Sequence, residues 1–135
     1  MSGGGEAGGR VPRPFTDADG ERLAAEWVAA WNAHDLDRII ELYAPGIVFQ
    51  TPTVIDTLGL PDGTVRGLTE LREHFARGLA RLPDLHFELH DAYVGVRSLA
   101  IVYRWADGTP VCELHEYDPQ ERIERVQALY RGLSW

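Results

Sequence analysis

The chain changes its hydrophobic period once, and that change limits the folds open to it. Up to Leu82 the apolar residues recur mainly at helical spacing, whereas from His86 to Arg131 they alternate with polar ones in four consecutive runs. A helical block followed by an unbroken series of strands predicts an α+β fold, with helices laid against a largely antiparallel sheet. The 135 residues suit one domain, long enough to bury roughly two-thirds of the unfolded surface around a single core.

Within the first block, Thr16-Asp17-Ala18-Asp19 reads as a helix start, with a capping hydroxyl and an acidic first turn. Leu23, Trp27, Ala30 and Trp31 form its apolar stripe. Asn32 to Asp35 breaks the run, and Asp35 caps a second short helix that turns Leu36, Ile39, Ile40 and Tyr43 inward and ends at Pro45-Gly46. Ile47 to Gln50 is a short strand stopped by Pro52. Thr53 to Gly67, punctuated by Gly59, Pro61, Asp62 and Gly63, reads as a long loop of the kind used for binding or as a lid. A third helix opens at Leu68 and buries Leu71, Phe75, Leu79 and Leu82, with His74 beside that stripe, exposed or partly buried. Strands are expected over 86–95, 98–106, 109–117 and 123–131. Residues 1–14, rich in Gly with Pro12 and Pro14, read as a disordered tail, and 15–135 as the domain.

Thirteen Lys and Arg against 21 Asp and Glu give a net charge of −8, which repels phosphate backbones and anionic lipid heads. Neither a nucleic acid nor a membrane is expected as a partner. No apolar stretch approaches the ~20 residues of a membrane helix, and Met1 to Arg10 holds no signal-peptide core, so a cytoplasmic location is expected. The single cysteine, Cys112, excludes an internal disulfide and a multi-cysteine zinc motif, and reads as filler rather than nucleophile. His86, Glu88 and His90 alternate on one strand face like metal ligands, yet Phe87 and Leu89 opposite them have the look of the buried side, which makes the histidines a solvated face. No metal or cofactor is expected.

Strand parity decides where the chemistry points. Leu99, Ile101, Tyr103 and Trp105 share one face. A three-residue reversal at Ala106-Asp107-Gly108, with Gly108 left-handed, brings Glu113, His115 and Tyr117 to that same face; a two-residue Asp-Gly turn sends them to the other. The three-residue loop is favoured because it places Tyr117 on the apolar side. A buried carboxylate and imidazole two residues apart are costly unless paired, hydrogen-bonded or used. In the last strand Val126, Ala128 and Tyr130 form the apolar set.

Trp31-Asn32-Ala33-His34-Asp35 closing the first helix, Tyr43-Ala44-Pro45, Val48-Phe49, Gly67 before the third helix and Ile123 to Tyr130 closing the sheet carry a resemblance over about residues 17–131. The chain resembles the nuclear transport factor 2-like superfamily, and within it the SnoaL-like polyketide cyclase branch. That resemblance implies a cone-shaped, cystatin-like α+β barrel, a curved antiparallel sheet wrapped around three N-terminal helices and a deep pocket. It also implies a homodimer formed through the outer sheet face. Members include cyclases, ketosteroid isomerases, epoxide hydrolases and non-catalytic binders, so the fold does not choose among them. Acids that such enzymes use are replaced here: Thr51 stands before Pro52 where the isomerases carry an Asp, and Ile101 and Ala128 occupy positions of the hydrolase carboxylates.

The polar groups expected inside such a pocket are Gln50, Tyr103, Glu113, His115, Tyr117 and Tyr130. The expectation is a cofactor-independent cyclase or isomerase of a small carbonyl compound, with His115 as base or acid and Glu113 orienting the imidazole. Tyr103 or Tyr117 would stabilise the enolate oxygen. Trp27, Trp31, Phe49, Gln50, Trp105 and Tyr130 would contact a small hydrophobic or aromatic ligand. A binding protein without turnover is the alternative, and a structural dimer whose pocket is filled by its own side chains is a third.

Overall fold

The computed structural model describes residues 11–133. Helix α1 (Asp17–Asn32) begins in a reciprocal cap: Asp19 N donates to Thr16 Oγ1 at 3.2 Å and Thr16 N donates to Asp19 Oδ2 at 2.8 Å. Arg13 closes on the same carboxylate at 2.6 Å and, with the Thr16 amide, holds it well below the usual carboxylate range. Most of the expected tail, residues 1–10, lies outside the described residues. Arg13 departs from that expectation, because Asp19 anchors its side chain and Arg97 donates to its carbonyl. Helix α2 (Leu36–Ile40) is capped by Asp35 and leads into strand β1 (Tyr43–Gln50), which starts earlier than expected and absorbs Pro45-Gly46 at a register shift.

The expected long loop is instead structured. Helix α3 (Thr53–Leu58) buries Val54 and Thr57 and ends at Gly59, whose φ of 67° suits a left-handed cap. Strand β2 (Thr64–Arg66) then pairs antiparallel with β1. Helix α4 (Leu68–Arg81) follows, making four helices among the described residues where three were expected. Strands β3 (Glu88–Val94), β4 (Ser98–Arg104), β5 (Pro110–Tyr117) and β6 (Ile123–Tyr130) complete one six-stranded sheet ordered β2-β1-β6-β5-β4-β3. The sheet curls without closing, in the cone-shaped α+β arrangement expected, and it is mixed rather than purely antiparallel, because β1 runs parallel to β6. That parallel pair joins strands distant in sequence and has no local signature.

The core lies between the concave face and α1 and α4. Leu99, Ile101 and Tyr103 from β4 meet Trp27 and Trp31 from α1 and Phe75 from α4 in one buried cluster. The end of α1 is tied to the sheet by polar contacts: Asn32 donates Nδ2 to Phe87 O at 3.0 Å and accepts from Phe87 N at 2.7 Å, while His34 Nε2 reaches Leu85 O at 2.7 Å. These bonds set the path of residues 85–87 along one wall. His86, Glu88 and His90 are exposed, as expected of a solvated face, and His90 pairs with Glu88 at 3.1 Å. Leu89, expected to be buried, is partly exposed although it lies opposite Tyr103, and the register of β3 slips just after it.

Where α1 crosses β3 and β4 it does so at Gly20, and a Cβ built there would collide with Val94 Cγ1 and crowd Leu99 Cδ1 at 3.2 Å. Alanine gains up to about 1 kcal/mol of helix propensity over glycine, whereas overpacking a filled contact costs about 1–3 kcal/mol. The second effect wins. Gly20→Ala should therefore lower stability by about 1–2 kcal/mol in urea denaturation; an increase in stability would show that the contact relaxes freely.

Candidate functional site

The β4–β5 reversal has three residues. Trp105 N donates to Thr109 O at 3.0 Å, Gly108 N donates to Trp105 O at 2.9 Å, and Gly108 takes a φ of 89°. Leu99 therefore lies opposite His115, Ile101 opposite Glu113 and Tyr103 opposite Val111. Glu113 and His115 both face inward, with relative exposures of 4% and 0%. Tyr103 and Glu113 are diagonal neighbours across the strand pair, close enough for the tyrosine hydroxyl to donate to Glu113 Oε2 at 2.6 Å. The other carboxylate oxygen, Oε1, is 3.0 Å from His115 Nε2.

The His115 tautomer follows from its surroundings. Its Nδ1 is buried and has no hydrogen-bond partner among the described residues, so a proton there would be an unpaired N–H in the core. The proton belongs on Nε2, donated to Glu113. Two donors thus hold the carboxylate from one side, and burial together with that carboxylate raises the Tyr103 hydroxyl well above its ordinary value. Burial and Glu113 raise Tyr130 as well.

Glu113 borders a cavity of about 250 Å³, larger than the roughly 150 Å³ that accepts a benzene ring. Aromatic side chains supply much of its wall: Trp31, Phe49, Phe75, Phe87, Trp105 and Tyr130. Tyr103 also reaches it. His115 does not. It sits behind Glu113, covered by Trp27 at a ring separation of 5.3 Å. Trp27 itself is core: its Nε1 donates to Tyr43 at 3.0 Å and its ring stacks on Phe87 at 5.6 Å. Tyr117 packs edge-on to Phe15 at 5.3 Å, away from the cavity. Gln50 is exposed and accepts from Gln127 at 3.2 Å; alternation cannot turn both Phe49 and Gln50 inward, and Phe49 takes the inner face.

Besides Glu113, the ionisable side chains of Asp56, His74 and Arg81 line the cavity, and of these three only His74 is buried. His74 on α4 is only 7% exposed and borders the cavity, with its Nδ1 2.6 Å from Thr57 Oγ1 on α3. Thr57 is held in turn by α4, because Arg77 donates to its carbonyl at 2.8 Å. Leu71, His74, Phe75 and Gly78 follow the i, i+3, i+4, i+7 rule of one helix face, which was the available signal. Among the described residues no three His, Cys, Asp or Glu side chains converge as metal ligands, and no helix is long and apolar enough to cross a membrane.

Burial pulls the His74 pKa down from 6.5 to about 4, helped by Arg81 and opposed by Glu113. Between those two values the unfolded chain binds more protons than the folded one, so stability rises with pH across this window and is lost on acidification. The difference amounts to about 3 kcal/mol. Urea denaturation from neutral pH to pH 4 should show the wild type losing roughly that much more than His74→Gln; equal losses would place His74 in a solvated setting.

Comparison with known proteins agrees with this architecture. A SnoaL-like protein of unknown function from Burkholderia thailandensis is 38% identical, with a TM-score of 0.84 over 88% of this chain and 99% of that one. A protein of cystatin-like fold from Methylobium petroleophilum is 16% identical, with a TM-score of 0.68 over 90% and 82% of the two chains. A SnoaL-like family protein from Agrobacterium tumefaciens, provisionally described as an isomerase, is 16% identical, with a TM-score of 0.67 over 84% and 97%. At the two lower identities the likeness concerns fold alone. No curated protein matches the sequence. The SnoaL-like domain pattern matches residues 24–131, and the chain belongs to that family.

Proposed function

We propose that this protein catalyses proton transfer on a small, flat carbonyl compound, as a cofactor-independent isomerase or cyclase, with Glu113 rather than His115 as the group that handles the proton. The observation that carries this reading is a buried carboxylate at the wall of an aromatic cavity, gripped from the protein side by Tyr103 and His115. A base so held needs no reorganisation at the moment of reaction. Glu113 would take a proton from the carbon beside the carbonyl, leaving an enolate and a neutral carboxyl. Isomerisation returns that proton to another carbon. In cyclisation the enolate carbon attacks a second carbonyl, and the proton goes to the alkoxide produced. His115 is then a positioning residue, and the Tyr103 proton is committed to Glu113, which leaves Tyr130, beside the Thr51 and Thr53 hydroxyls, as the other cavity tyrosine that faces the substrate.

An enolisable bicyclic ketone, β-tetralone, tests the reading through exchange of its acidic protons for deuterium, followed by NMR. The wild type should accelerate exchange, and Glu113→Gln should reduce the enzymatic rate by at least ~10²-fold while β-tetralone still quenches tryptophan fluorescence. Binding without exchange in the wild type would identify a carrier instead.

The same reading includes a homodimer through the convex sheet face, where Tyr93, Ala100, Leu114 and Gln127 form one cross-strand row and Asp91, Val102, Cys112 and Leu129 the next. Tyr93, Leu114 and Leu129 are exposed. Sedimentation should give a dimer for the wild type and a monomer for Leu114→Lys; a monomeric wild type would contradict this part of the proposal.

A further inference from the structure

Buried polar groups are hydrogen-bonded, so the way His74 and Thr57 satisfy each other carries chemical information. Thr57 is buried, and among the described residues its hydroxyl has no hydrogen-bond partner other than His74 Nδ1. Were Nδ1 to carry the proton and donate, the buried hydroxyl hydrogen would be left without an acceptor, the costlier arrangement. The hydroxyl therefore donates to Nδ1, and the imidazole proton sits on Nε2. That nitrogen has no hydrogen-bond partner among the described residues, and the ring borders the same cavity as Glu113. Phe49 and Phe75 flank the imidazole, with ring separations of 6.2 and 5.6 Å, and fix its plane.

We infer that His74, oriented by Thr57, is a second catalytic residue of this cavity: a neutral imidazole that donates an Nε2 hydrogen bond to the substrate's carbonyl oxygen while Glu113 acts on the neighbouring carbon. This inference rests on the proton-transfer reading of Glu113. As the carbon–hydrogen bond breaks, its proton passes to Glu113 and its electron pair becomes the enolate, whose negative oxygen faces His74. The His74 N–H bond stays intact, and Glu113 later returns the proton. Burial keeps the ring neutral, since its pKa lies at about 4. A neutral ring suits this task, because an imidazolium in the same cavity would stabilise the Glu113 carboxylate and make it a weaker base. Thr57 and Arg77 make the arrangement rigid: α4 supplies both the imidazole and, through Arg77, the bond that anchors its partner on α3.

The test uses the full chain, the β-tetralone exchange assay and two-dimensional NMR of the imidazole nitrogens at neutral pH. His74→Phe should lower kcat by ~10²-fold with KM within ~3-fold, and His74→Gln, which keeps an N–H donor, should recover about tenfold of that loss. In the wild type the nitrogen shifts should show His74 protonated on Nε2, and Thr57→Val should mix the two tautomers. A wild-type kcat in His74→Phe, or a proton on Nδ1 in the wild type, would overturn the inference. Exchange lost in Glu113→Gln but intact in His74→Phe removes only the role of His74; a wild type that exchanges nothing removes the Glu113 reading along with it. The tautomer measurement needs no variant, so it decides the matter even if His74→Phe does not fold.

Discussion

The count of residues in the β4–β5 turn governs everything at this site. Side chains on a strand alternate with period two, so a one-residue change in the turn would exchange the faces of all of β5. Glu113 and His115 would then meet solvent, and Leu114 and Cys112 would fill the core. Gly108, at a φ of 89°, accepts the backbone angle that makes a three-residue turn possible. The parity is reinforced on the far side of β5, where Glu113 lies opposite Ala128 and His115 opposite Val126.

A carboxylate taken into such an interior loses several kcal/mol of hydration. Tyr103 and His115 offset this with two hydrogen bonds, and charge-assisted bonds of this kind are roughly twice as strong as neutral ones. The same two bonds consume the lone pairs on the protein side and leave the cavity side for a ligand. In the proposed reaction His115 positions Glu113 without touching substrate. Trp27 closes the space behind it, which joins the packing of α1 to the orientation of the acid. Function and stability share these contacts, so losses at Glu113, His115 or Tyr103 will mix both effects unless binding and folding are followed separately.

The long periodic segments were legible in the sequence: α1, α4 and the four late strands announce themselves by spacing, and the inward face of β5 follows from one turn. Helix α3 was hidden because six residues with only Val54 and Thr57 buried are too few to establish a period. The parallel pairing of β1 with β6 depends on how the sheet curls. Alternation gives the face of a side chain but not its depth, which is why Glu113 and His115 were placed together while only Glu113 reaches the cavity. That difference is set by Trp27, eighty-odd residues away in the chain. The burial of His74 is less legible, because its polarity favours solvent, although it sits three residues after Leu71 and next to Phe75.

A crystal structure with β-tetralone bound tests the central claim most directly, because it locates the reacting carbon relative to each candidate group. The ring system should lie against Trp31, Phe75 and Phe87, with an acidic carbon in contact with a Glu113 carboxylate oxygen and no ligand atom touching the His115 ring. A ligand seated against His115, or one that leaves Glu113 covered and binds elsewhere on the chain, would contradict it.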